Sequence, residues 1–298
     1  MPRQPHELLF GSFITPSADQ VEQVVALTRL SERAGLDIAT FQDHPYQPRL
    51  LDSWTLISYL AAATSRIKLA PNVMNLPMRQ PVVIARSAAT LDLLSGGRVE
   101  LALGAGAFWD AIEAIGGRRL APGESVDALE EAITIIREIW DTETRGGVRM
   151  DGTHYQVAGA KRGPAPTHDI GIWVGAYRPR LLRLVGRIAD GWLPSLSAFE
   201  GGLAGLARAG RHVDEGAEAA GRDPASVRRL LNIGTPSPSG GSGALSGPLT
   251  RWAEQLAEIT LEHGISGYIL GGDDPTAIQQ FGEEVAPAVR ELVGKARS

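Results

Sequence analysis

The chain has 298 residues, no cysteine, 43% apolar residues and a formal net charge of −5. That composition is ordinary for a soluble globular protein and excludes disulfides, Fe–S clusters, thiolate nucleophiles and cysteine-ligated zinc. The acidic balance weighs against a nucleic-acid partner, and no run of about 18 apolar residues exists to span a membrane.

The opening MPRQPHELLF lacks a long apolar stretch, so no secretory leader is expected and a cytoplasmic location is. Short apolar runs then alternate with stretches of helical period. The first run is Leu8 to Ile14. Ser17 and Gln20 read as a capping box ahead of a helix bearing Val21, Val24, Val25, Leu27 and Leu30, stopped at Gly35. The second run, Leu36 to Phe41, precedes a helix over about 52–64. The third, Ile67 to Met74, precedes a helix over about 82–94. The fourth, Val99 to Leu103, ends in Gly104-Ala105-Gly106. The helix after it is the clearest, with Val126, Leu129, Ile133, Ile136 and Trp140 spaced three and four apart on one face. Residues 142–168 carry Gly146-Gly147 and Asp151-Gly152 among β-prone neighbours, which predicts a small hairpin insertion. The fifth run, Ile170 to Val174, leads to a helix ending near Ala189. The sixth is Gly191 to Leu193, with Ser197 and Glu200 expected to cap the next helix. The seventh is Val227 to Ile233, followed by a Gly-, Ser- and Pro-rich loop over about 234–247. Leu249, Trp252, Leu256 and Ile259 mark another helix. Tyr268 to Leu270 is the eighth run, and Ile278 to Leu292 carry the last helix. Eight strand–helix units with continuously apolar strands predict one α/β domain over 1–298, a (β/α)₈ TIM barrel with its active site at the C-terminal strand ends; an open doubly wound sheet is the alternative.

Four strand ends carry chemistry. Asp43-His44 after the second strand is either a proline-fixed turn or a titratable pair suited to proton transfer. Asn72 to Pro81 after the third offers amides and methionines that could wall a flat ligand. Gly104 and Gly106 after the fourth allow close backbone approach to a ligand, but no third glycine completes a dinucleotide fingerprint. Gly175-Ala176-Tyr177-Arg178-Pro179 after the fifth opens a helix, an arrangement suited to a phosphate. No P-loop, nucleophile elbow or HExxH motif occurs, and the six histidines are scattered, so no metal site is expected.

Several segments together resemble the bacterial luciferase-like monooxygenase superfamily of flavin- and deazaflavin-dependent barrels. They are Ser31 to Asp37, Asp43-His44, Ala61 to Ile67, Ala89 to Arg98, Gly104-Ala105-Gly106 and Gly186 to Trp192, in order along nearly the whole chain. The resemblance implies coenzyme F420 or FMN over the barrel mouth, with F420 slightly favoured. It implies a cis non-proline bulge near Asn72, Val73 and Met74 behind the ring, contacts from Asp43, Asn75 and Gly106, and a phosphate at Gly175, Ala176, Tyr177 and Arg178. His44 is expected to handle a proton, with Asp43 orienting it or contacting the ring, and Trp54, Phe108 and Trp109 to pack the substrate. One departure stands out: Ala107 replaces the acid that the sugar-phosphate dehydrogenase branch carries there. Hydride transfer or monooxygenation of a small organic substrate follows, with a homodimer and a separate flavin or F420 reductase as partners; a non-catalytic flavin carrier is the remaining alternative.

Overall fold

The computed structural model describes residues 6–234, 245 and 249–298. The loop expected over 234–247 lies almost wholly outside them. Strands β1 (Leu9–Ile14), β2 (Ile38–Phe41), β3 (Lys68–Pro71), β4 (Met74–Asn75) and β5 (Leu101–Gly104) occur in the first third of the chain. Strands β8 (Ile172–Gly175), β9 (Gly191–Trp192), β10 (Arg228–Ile233) and β11 (Gly267–Gly271) complete a parallel sheet of order β3-β2-β1-β11-β10-β9-β8-β5-β4. β3 and β4 are halves of one strand position, parted at a cis peptide between Asn72 and Val73. β3 pairs with β2 and β4 with β5, and a parallel bridge from Leu69 to Val99 brings the two edges together. The result is an eight-position barrel, as eight apolar runs require.

Its interior is filled by a cluster of Leu9, Ile38, Ala70, Ala102, Trp173, Leu193, Leu230 and Ile269, one from or next to each of the eight positions. A larger core lies between the strands and the surrounding helices, which explains why the strands are apolar on both faces. The helices are α1 (Val21–Arg33), α2 (Ser53–Ala63), α3 (Pro81–Ser95), α4 (Trp109–Ala114), α5 (Pro122–Trp140), α6 (Pro179–Ile188), α7 (Leu203–Ala219), α8 (Leu249–His263), α9 (Pro275–Gln280) and α10 (Ala286–Arg297). A π-turn at Phe281–Val285 joins the last two. β6 (Val148–Asp151) and β7 (Gln156–Ala160) form an antiparallel hairpin after α5. No helix of the described residues is long and apolar enough to cross a membrane.

Two expected caps do not form. Ser17 caps no helix with its side chain, because its segment pairs with Leu50 and the Ala18 amide donates to the Arg49 carbonyl; a 3₁₀ turn precedes α1 instead. Ser197 sits inside another 3₁₀ turn, and α7 begins after Gly202, whose φ of +57° suits glycine.

Candidate active site

The C-terminal strand ends surround a cavity of about 870 Å³, within the size range of small-molecule sites. One wall is the bulge after β3. Val73 presses its methyl groups toward Gly104 and Gly175, where a side-chain carbon would fall 2.7 and 3.3 Å from them. Those two glycines therefore make room for Val73. Gly106 holds φ +108°, and a side-chain carbon there would meet the Trp109 ring at 2.6 Å and Pro77 at 2.8 Å. Asn75 lines the same cavity, and its Oδ1 is buried without a hydrogen-bond partner. An orphaned acceptor costs about 1–3 kcal/mol, and a ligand donor would recover it.

Asp43 is buried and fully engaged. Its carboxylate accepts from the Asn75 amide (2.9 Å) and from Arg79 Nε and Nη2 (3.2 and 3.0 Å). Arg79 also reaches Asp52, the N-cap of α2, at 2.8 Å. Asp43 thus fixes the bulge to the start of α2, and the expectation that it orients His44 is corrected. Tyr46 does that: its hydroxyl lies 2.6 Å from His44 Nδ1. Burial lowers the His44 pKa, with the Asp43 charge opposing it in part. Burial, then Asp43, raises that of Tyr46. Near neutral pH the pair is therefore an uncharged imidazole beside an intact phenol.

Phe108 covers this pair. Its ring centroid is 5.5 Å from that of His44 and 6.1 Å from that of Tyr46, in tilted and edge-on geometries. It caps α4 at φ +46°, a backbone conformation that costs a bulky residue roughly 1–3 kcal/mol, and its side chain is exposed.

Across the mouth, α6 starts at Pro179 with no side chain capping it. Arg178 enters no ion pair among the described residues, whereas Arg180 pairs with Asp127 and Arg183 with Glu215. Tyr177 accepts from the Ser195 amide at 3.0 Å. An uncapped helix N-terminus beside a free guanidinium suits a phosphate.

Of the expected residues, Asp43, His44, Val73, Met74, Asn75, Gly106, Phe108, Trp109, Gly175, Tyr177 and Arg178 all line the cavity. Ala176 does not: it is buried behind the wall, its carbonyl accepting from Trp192 Nε1. Trp54 does not either. It packs against the outer core from α2, because its spacing to Ile57 and Ala61 puts it on the inward face. Sequence reasoning missed Asn232. On β10, it exchanges hydrogen bonds with the Asn72 amide across the barrel (2.7 and 3.1 Å). A lone amide in the apolar run Leu230 to Ile233 was the available signal.

The residues fit a flat, phosphate-bearing ring cofactor. Val73 would back such a ring in the glycine-lined cradle, Asn75 Oδ1 would accept from a ring donor, Gly106 would permit close approach, and Arg178 with the α6 start would take the phosphate.

Residues 8–235 match the family model described as luciferase-like monooxygenase. An F420-dependent glucose-6-phosphate dehydrogenase of Nocardia farcinica is 29% identical over 93% of this chain and 89% of its own. A 5,10-methylenetetrahydromethanopterin reductase of Methanolobus tindarius is 32% identical over 74% of this chain and 63% of its own. The solved structure of an F420-dependent secondary alcohol dehydrogenase in complex with an F420-acetone adduct superposes with a TM-score of 0.80 at 20% identity. The match covers 95% of this chain and 99% of that one, and it shows the fold.

Proposed function

The chain belongs to the luciferase-like monooxygenase family, and from there we propose that it is an oxidoreductase exchanging a hydride between coenzyme F420 and a small organic alcohol or carbonyl compound. What supports the reading is that one cavity is lined by the hydrogen-bonded His44 and Tyr46, by Val73 between Gly104 and Gly175 with the orphaned Asn75 Oδ1, and by Arg178 at the uncapped start of α6. Curated relatives named for F420 support that cofactor over FMN.

When bound, the deazaflavin supplies the hydride acceptor or donor. The chain supplies the proton chemistry and the alignment. The His44 tautomer with its proton on Nδ1, donated to Tyr46 Oη, leaves Nε2 free to take the hydroxyl proton of an alcohol. In carbonyl reduction the imidazolium returns that proton to the new alkoxide oxygen. The lowered His44 pKa keeps the base form present below the ordinary histidine range, so alcohol oxidation persists at mildly acidic pH. Phe108 and Trp109 pack the substrate side. A homodimer through the exposed Tyr59, Val83 and Leu94 on α2 and α3, a cytoplasmic location and a separate F420 reductase belong to the same proposal.

The test mixes chemically reduced F420 with the purified chain and a panel of carbonyl compounds without oxygen. Return of the oxidised absorbance at enzyme-dependent rates is expected. Substrate oxidation that requires oxygen assigns a monooxygenase instead, and oxygen-free turnover with reduced FMN alone assigns FMN in place of F420.

A further inference from the structure

We propose that the substrate held over His44 is uncharged and carries an apolar ring, so that its class is the cyclic or aryl ketone and the matching secondary alcohol. The proposal rests on the hydride-transfer assignment above and deepens it.

The first observation is the wall itself. His44, Tyr46 and Phe108 form a three-ring cluster, with His44 and Tyr46 centroids 5.4 Å apart at 81° and Phe108 against both. Phe108 is 64% exposed, in a left-handed backbone conformation that bulky side chains avoid. A large apolar side chain kept out of the core, on unfavourable backbone, against the proton-handling histidine is a surface waiting for a partner. Rings pair well edge-to-face or offset at such separations.

The second observation is charge. Asp43 is neutralised by Arg79, and Arg180 by Asp127. The smaller hollow of about 260 Å³ beside the cluster adds the neutral amides of Gln42 and Gln47, and its Arg49 is paired with Asp19. Arg178 is the free cation at the mouth among the described residues, and it stands at the α6 start, where the cofactor phosphate is placed. A carboxylate or phosphate over His44 would therefore lose water against two aromatic rings and a neutral imidazole, while the arginines lining the two hollows other than Arg178 are already held by Asp19 and Asp127.

Calorimetric titration with three ligands sharing one ring tests this: acetophenone, benzoate and phenyl phosphate. Each is added to the Arg178→Ala protein alone, which lacks the phosphate site, and to the parent protein loaded with F420. Acetophenone is expected to bind at least about tenfold more tightly than either anion in both. Phe108→Ala should weaken acetophenone about tenfold and leave the F420 Kd within about twofold. Phe108→Leu, which keeps bulk without a ring, should fall between, and unchanged melting of both variants excludes a folding defect. Equal or tighter binding of either anion, binding of none of the three, or an unchanged acetophenone Kd in Phe108→Ala overturns the proposal. Failure of F420 to bind overturns the cofactor assignment instead, and the ligand order on the Arg178→Ala protein alone still judges the ring.

Discussion

The two ends of the barrel solve opposite problems. At the N-terminal strand ends, charges close on one another. Glu100, buried just before β5, accepts from Lys68 Nζ and from the Gly171 amide, and His168 Nε2 stands 3.6 Å away. His168 Nδ1 lies 2.9 Å from the buried Asp92, which also accepts from the Thr167 and His168 amides. Arg98 donates to the carbonyls of Ala61, Thr64, Ile67 and Ser95. Glu32 accepts three successive amides from Ser65 to Ile67. At the C-terminal ends the same fold leaves Asn75 Oδ1 orphaned, α6 uncapped, Arg178 unpaired and Phe108 strained and exposed. At one end buried charges face counter-charges, and at the other polar groups and a large apolar side chain are left without partners on the face where this architecture places its sites.

That contrast can be broken by mutation. The largest effect is expected from His44→Gln, which should lower kcat by about 10²–10⁴, equivalent to roughly 3–5 kcal/mol of transition-state stabilisation, with melting and F420 affinity barely changed. Next, Glu100→Gln strands Lys68 and His168 without their buried counter-charge. It should cost about 3 kcal/mol and lower Tm by roughly 6–10 °C in differential scanning calorimetry, with the F420 Kd unaltered. Asn232→Leu leaves the Asn72 amide short of a partner behind Val73. About 1–2 kcal/mol is expected, read as an F420 Kd about tenfold weaker. The smallest effect is on pH dependence. The carboxylates of Glu100 and Asp92 outweigh burial and raise the His168 pKa above its ordinary value. Its stabilising charge is therefore fully present below the unfolded-state pKa of about 6.5 and is lost as pH rises through the raised folded value. Tm should decline through that window in the parent, and His168→Gln should flatten the profile.

Much of this was legible in the sequence because strand-and-helix alternation is a local signal. Every barrel strand falls within a residue or two of an apolar run, and Gly35 does end α1. Helix starts were less legible where a distant segment competes for the cap, as Arg49 and Leu50 do at Ser17. α4 spans only Trp109–Ala114, too short for a periodic pattern, and the π-turn at Phe281, whose ring packs against Phe10, carries no local motif. The site's residues at strand ends were readable, yet their partnerships were not. Arg79 is 36 residues from Asp43 and Asn232 is 160 from Asn72, and only barrel closure brings either pair together. Tyr46, two residues from His44, was within local reach, but the Asp43-His44 dipeptide drew the orienting role to the wrong neighbour.

The central claim is that the open end of the barrel, and not the closed one, binds a deazaflavin. Fluorescence titration of the purified chain with F420, repeated on Arg178→Ala and Glu100→Gln, tests it most directly. A Kd at or below the micromolar range is expected, weakened about tenfold in Arg178→Ala and unchanged in Glu100→Gln. Absence of F420 binding below about 1 mM, or equal losses in both variants, would contradict it.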